Sequence, residues 1–190
     1  MKTSVFCIIR RLVPAIFVAG LLAATVVAQT DVAVLDIRGA IEQPLTLALS
    51  DLQAMPRVKL KAQEKGGGEA TFEGVALYEL VMRAKPKLTE HCCGNAINTV
   101  VVIKAADNYQ ATFSLTELDP KFGHREILLA DRREGRPLEA RQGPLEIIVP
   151  DETVRARWVR QVNLIEILSI GDVREASTNS SGRSTVPGRF

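Results

Sequence analysis

The sequence gathers few chemically capable side chains, and its densest group is His91-Cys92-Cys93. Adjacent thiols beside an imidazole suggest soft-metal ligation, but structural zinc sites space paired ligands along a turn and bring a second pair from elsewhere. His124 is the only other histidine, so a metal at Cys92 and Cys93 would need carboxylates to complete its ligands. The spacing therefore argues against a metal centre and for thiol chemistry: a strained ring between neighbours, or capture of an external thiol. A hydrolytic triad drawn from Ser114, His124 and an aspartate has no nucleophile-elbow sequence behind it. Gly66-Gly67-Gly68 is not followed by Gly-Lys-Ser/Thr and opens no helix, so it reads as a hairpin loop, not a phosphate cradle. Arg155, Arg157 and Arg160 offer a cationic rim, although Arg157 and Arg160 need not share a face. Tyr109 and Trp158 sit in strand-like surroundings and are expected in the core.

The elements that must position these groups are mostly strands. Val32–Arg38 is β-prone and stops at Gly39, and Leu45–Ala48 forms a second short strand. Ser50 followed by Gln53 is a capping pattern that predicts a short helix to Met55, halted by Pro56. Val58–Ala62 alternates as a half-buried strand, and Ala70–Glu73 returns from the glycine loop. Leu77, Leu80, Val81 and Ala84 fall at helical spacing, which predicts an amphipathic helix over 76–84 before Pro86. Thr99–Lys104 is an apolar, β-branched run suited to a central strand. Asp107-Asn108 turns it back into Tyr109–Phe113, and Ser114 with Glu117 caps one helical turn ending at Pro120. Further strands are expected at Glu126–Ala130, Leu145–Val149 and Val159–Leu168, with a helical turn over Thr153–Arg157. The sum is one mainly-β α+β domain over 32–170 with short helices at one edge.

Both ends of the chain read differently. Lys2, Arg10 and Arg11 precede the apolar run Leu12–Ala24, and Val26-Val27-Ala28 supplies a cleavage site before Gln29. Residues 1–28 are thus expected to be a secretory signal peptide, giving a periplasmic or secreted protein that meets the membrane only during export. Residues 171–190 lose apolar periodicity and are expected to be a disordered tail. The formal net charge of +2 shrinks on export, because 1–28 holds three cations and no acid, leaving 21 basic against 22 acidic residues. No basic excess remains to drive counterion release from a polyphosphate, so nucleic acid is not an expected partner. Cys7 leaves with the signal peptide, so no disulfide framework staples the fold.

The ordered motifs resemble a family. They run Gly39–Thr46, Asp51-Leu52 with Met55-Pro56, Phe72–Leu77, Ala106-Asp107-Asn108-Tyr109, Glu117-Leu118, Leu128-Leu129-Ala130, Gly143–Pro150 and Arg157-Trp158-Val159. In order and spacing this is similar to the sulfite-oxidase-like molybdopterin-binding domain of exported oxidoreductases, from Val34 to Leu168. The resemblance implies a mixed-sheet fold of that type, a molybdopterin cofactor and oxidoreductase activity. It also implies cofactor contacts at Gly143, Pro144 and Arg157, the cation before the tryptophan.

Carried over residue by residue, the activity fits less well. The family's molybdenum is held by a cysteine on the segment before the Gly-Val-x-Leu block, which here is Val58–Lys65 and has none. Cys92 and Cys93 lie beyond the 76–84 helix, on the other side of that motif. Where the family's Gly-x-Pro-Leu block continues with an arginine for the pterin phosphate, this chain has Glu146, which repels a phosphate. The expectation is an exported, degenerate member with no catalytic residues, no resident metal and no cofactor, binding an anionic small molecule or a protein partner. The rival expectation is a molybdopterin-dependent oxidoreductase of the sulfite oxidase type, ligating metal through Cys92 or Cys93.

Overall fold

The computed structural model describes residues 32–88, 96–123 and 125–170. Strands β1 (Ala33–Gly39) and β2 (Leu45–Ala48) lead through helix α1 (Leu49–Gln53) to the hairpin β3 (Val58–Gln63) and β4 (Glu69–Ala76). Helix α2 (Leu77–Arg83) precedes β5 (Thr99–Ala105), β6 (Gln110–Ser114) and helix α3 (Leu115–Leu118). Strands β7 (Leu128–Arg133), β8 (Arg136–Pro137) and β9 (Glu146–Ile148) follow, then a 3₁₀ turn (Arg155–Arg157) and β10 (Val162–Ser169).

Among the described residues ten strands form two five-stranded sheets. The first has the order β2-β1-β10-β5-β6, and the second runs β3-β4-β7-β8 with β9 also paired to β7. β1 and β10 are parallel, from Asp36 opposite Leu164 to Gly39 opposite Ile167, and the other pairs are antiparallel. Alternation along the strands turns Leu35, Ile37, Val101, Ile103, Phe113, Ile165 and Ile167 of the first sheet toward Val75, Leu129 and Ile147 of the second. α2 adds Leu77, Leu80 and Val81 to this core, as its helical spacing predicts. The second sheet is apolar on its other face too: Ala62, Ala70, Phe72, Leu128, Ala130 and Ile148 form a smaller cluster, against which Trp158 packs. Phe72 and Trp158 meet edge to face with centroids 5.6 Å apart.

Two glycines allow strands to approach. At Gly39 the backbone has φ +111°, and a Cβ would lie 2.1 Å from the Ile167 carbonyl oxygen. At Gly74, where β4 meets β7, a Cβ would lie 2.0 Å from the Leu129 carbonyl oxygen.

The mixed-sheet α+β class expected from the sequence is the one observed. α3 is capped as its sequence predicts, with Glu117 N–H donating to Ser114 Oγ at 3.0 Å. α1 is capped differently: the Asp51 carboxylate accepts from the Ala48 N–H at 2.8 Å, so the helix starts before Ser50. β8 is unforeseen; it pairs back on β7 through Glu134 and Gly135, both at positive φ (49° and 72°), as a two-residue hairpin turn requires. β10 begins at Val162 rather than Val159, because Trp158–Arg160 instead runs beside β9, with Ile147 N–H donating to Val159 O at 2.8 Å. The expected signal peptide, the tail, His91, Cys92, Cys93 and His124 lie outside the described residues.

Candidate functional site

A cleft of about 620 Å³ opens where the end of β3, the Gln142–Glu146 turn and the segment Thr153–Arg160 converge. It continues past Glu64, Lys65 and Arg155 toward the glycine-rich hairpin, and past Gln142 and Arg160 toward Arg133 and Arg141. Its floor is aromatic. Trp158 donates its indole N–H to Val149 O at 2.8 Å, which fixes the ring, and the Arg155 guanidinium sits 4.9 Å over it. Arg155 also donates to the Gln63 carbonyl, tying the 3₁₀ turn to β3. Tyr109 borders the same space, 48% exposed, with its hydroxyl donating to the Ala156 carbonyl. It lies at the surface and not in the core, because it sits in the tight turn before β6, where no opposing sheet covers it.

Two carboxylates face this cleft in different states. Glu64 receives two hydrogen bonds of 2.6 Å from Arg133, and these chiefly hold its carboxyl below the usual range. Glu146, the first residue of β9, is buried, with Oε1 3.6 Å from Arg160 Nε. Its Oε2 finds no hydrogen-bond partner among the described residues. Burial pushes this carboxyl up to about 7, partly opposed by Arg160 and reinforced by the nearby Glu64 charge.

The residues that the resemblance singled out are not gathered in this cleft. Arg157 donates from Nε to Glu152 at 2.6 Å and from Nη1 to both oxygens of Glu117 at 3.0 Å, with its guanidinium 4.7 Å over Phe113. Burial opposes its charge, but the bonds to Glu152 and Glu117 more than offset that, and its pKa is raised. Gly143 is held by its N–H to Glu139 O at 2.8 Å and packs beside Leu138. Gln142 and Glu146, which flank Gly143 and Pro144, are the residues of this turn that reach the cleft wall. Of the expected cationic rim, Arg155 and Arg160 line the cleft. Sequence reasoning passed over Glu64, Lys65 and Gln142; the available signal was the Glu-Lys step leaving β3 just before the glycine loop.

Among the described residues the donor set of this cleft does not suit a molybdenum dithiolene. The cleft is lined by the carboxylates Glu64 and Glu146 and, among the described residues, by no soft thiolate. Among the described residues no three His, Cys, Asp or Glu side chains are grouped to hold a metal.

Residues 23–171 match the family model described as the oxidoreductase molybdopterin binding domain. Among solved structures the chain is similar to the crystal structure of the sulfane dehydrogenase SoxCD from Paracoccus pantotrophus, at 22% identity and a TM-score of 0.55. That similarity covers 70% of this chain and 37% of the other, so the chain spans little more than a third of that relative's length, and the likeness is one of fold. No curated protein matches the sequence.

Proposed function

The chain belongs to the oxidoreductase molybdopterin binding domain family, and from that premise we propose that it is an exported, degenerate member acting as a binding module without redox chemistry. Its ligand is an anionic small molecule or a protein partner that presents an anionic group to the cleft. One observation carries this reading: the end of β3 and the Gly-Pro-Leu turn meet at Glu64 and Glu146, hard acidic donors in a wall that also holds Lys65, Arg155 and Arg160. A pterin–molybdenum site needs a thiolate to complete the metal and cations for the phosphate, and among the described residues this wall supplies the cations and no thiolate. The leader expected at 1–28 places the module in the periplasm or outside the cell, where a soluble anion or a partner chain is accessible. The family match over 23–171 supports a second reading, a molybdopterin-dependent oxidoreductase whose metal is held by Cys92 or Cys93.

Elemental analysis and pterin fluorescence on protein purified under oxygen protection from a molybdenum-replete native host separate the two. The binding module comes out free of molybdenum. Stoichiometric molybdenum overturns it, and loss of that metal on Cys92→Ser or Cys93→Ser identifies the ligand.

A further inference from the structure

Glu146 lines the cleft although its side chain is only 2% exposed. The 3.6 Å separation between its Oε1 and Arg160 Nε is an ion pair too long for a hydrogen bond, and Oε2 has no partner among the described residues. An ionised carboxylate has acceptor sites on both oxygens, so leaving one buried and bare is costly, whereas a proton on Oε2 removes the charge. The charged groups facing it are Arg160 from the segment before β10, Glu64 from the end of β3 and Arg133 from β7. Glu64 and Arg133 are committed to each other through two 2.6 Å bonds. Arg160 is therefore the cation that balances Glu146, and its side chain is 62% exposed at the mouth of the cleft. Across the cleft, Arg155 Nε is also buried without a hydrogen-bond partner among the described residues, and Lys65 stands at the same rim. The wall thus holds a cation on a long ion pair, a second with an unused N–H, and a third beside them.

We propose that this cleft binds a small oxyanion together with one proton: the anion replaces Glu146 as the counter-charge of Arg160, and Glu146 takes up the proton. This rests on the reading of the cleft as a ligand-binding site. The single negative charge that Glu146 presents to Arg160 is replaced by that of the oxyanion, a dianion such as sulfate placing its second charge toward Arg155 and Lys65, and the proton comes from solvent to form the Glu146 O–H bond. Burial has already brought the Glu146 carboxyl to about 7, so protonation costs little near neutral pH. Ionised Glu146 both occupies Arg160 and repels the incoming anion, so the same residue that departs from the family's arginine makes anion capture depend on pH.

The test is calorimetric titration of the full chain with sulfate, whose charge is constant between pH 5.5 and 8.5. Buffers of different ionisation enthalpy count the protons taken up. The sulfate Kd should rise about 30-fold from pH 5.5 to 8.5, because the apparent constant scales inversely with the fraction of protein in the protonated form. Close to one proton should enter with each sulfate at pH 8.5, and almost none at pH 5.5. Glu146→Gln should bind equally at both pH values without proton uptake. Arg160→Gln, read at pH 5.5 where Glu146 is protonated and needs no counter-charge, should weaken sulfate binding. A flat profile in the wild type, a pH dependence that survives Glu146→Gln, or the absence of sulfate binding overturns the proposal. If Glu146→Gln fails to fold, the wild-type proton count and Arg160→Gln still decide. Sulfate binding with a flat profile sinks the proton linkage alone, whereas stoichiometric molybdenum in the native protein sinks the binding-module reading beneath it.

Discussion

Glu146 should also leave its mark on stability in the absence of any ligand. A carboxyl held at about 7 rather than at the ordinary 4.5 binds its proton more tightly folded than unfolded. The stabilisation from that proton is fully present below about 4.5 and is lost as pH rises through about 7. Each factor of ten in the acid constant is worth about 1.4 kcal/mol, so the ionised side chain costs the fold about 3 kcal/mol at pH 8.5. Glu146→Gln keeps the shape and one carbonyl acceptor but has no charge to desolvate, so it should abolish this slope. In urea, with a slope of about 2 kcal/mol per molar, the wild-type midpoint should fall by about 1.3 M between pH 5 and 8.5 relative to the variant. The comparison is made as a difference between the two proteins, so that the titration of every other group cancels. Glu64, held low by Arg133, contributes its pH dependence below the window, with the opposite sign. Wild-type and variant midpoints that run parallel from pH 5 to 8.5 would refute the reasoning, since Glu146 would then be ionised at no cost.

Four further substitutions test the frame around the site by urea or thermal unfolding. Arg157→Ala strips Glu152 and Glu117 of their shared partner and should destabilise by about 2 kcal/mol, discounted from the buried-pair value because the side chain is partly exposed; a loss under about 0.5 kcal/mol would make the pairs incidental. Gly39→Ala drives a methyl into the Ile167 carbonyl at a positive φ and should cost about 3 kcal/mol or more, whereas Gly68→Ala, with nothing within 4 Å, should stay within about 0.5 kcal/mol. Ser114→Ala removes the hydroxyl that receives the Glu117 N–H and should cost about 1 kcal/mol; an unchanged midpoint would show that the α3 cap adds nothing.

Much of the frame was legible because its signals are local. The alternation in Val58–Ala62, the β-branched run at Thr99–Lys104 and the helical spacing of Leu77, Leu80 and Val81 each report which face is buried, and the strands and helix follow. The Ser114 cap needs only the residues of its own turn. Ser50 offered the same pattern, yet Asp51 took the cap by reaching back to Ala48, because two residues able to cap stand side by side and local sequence does not rank them. β8 escaped notice because a two-residue strand carries no periodicity. The site was less legible still. Glu64 finds Arg133 from 69 residues away, and Arg157 finds Glu117 from 40. Such pairs follow from sheet order, which no local pattern encodes. Glu146 could be flagged from the sequence as an acid in an unusual place, but its burial and its bare oxygen depend on β9 packing against β7.

The division of labour among the arginines follows from that topology. Arg155 and Arg157 belong to one 3₁₀ turn, where residues three apart eclipse and residues two apart point to different sides. Arg155 therefore leans over Trp158 into the cleft, while Arg157 turns to Phe113, Glu117 and Glu152. Glu117 is also 3.6 Å from Arg125, so a chain of alternating charges runs from Arg125 through Glu117 and Arg157 to Glu152. This chain joins α3 to the segment that forms one wall of the cleft, and it holds that wall through Arg157 without spending Arg155 or Arg160. The three cations that read as one rim in the sequence thus separate into a clamp and a pair of ligand-facing groups. Loosening the clamp should displace Arg155 and Arg160 together. Arg157→Ala should consequently weaken sulfate binding at pH 5.5 even though Arg157 points away from the cleft, and an unchanged sulfate Kd in a folded Arg157→Ala protein would show that the wall holds its shape without it.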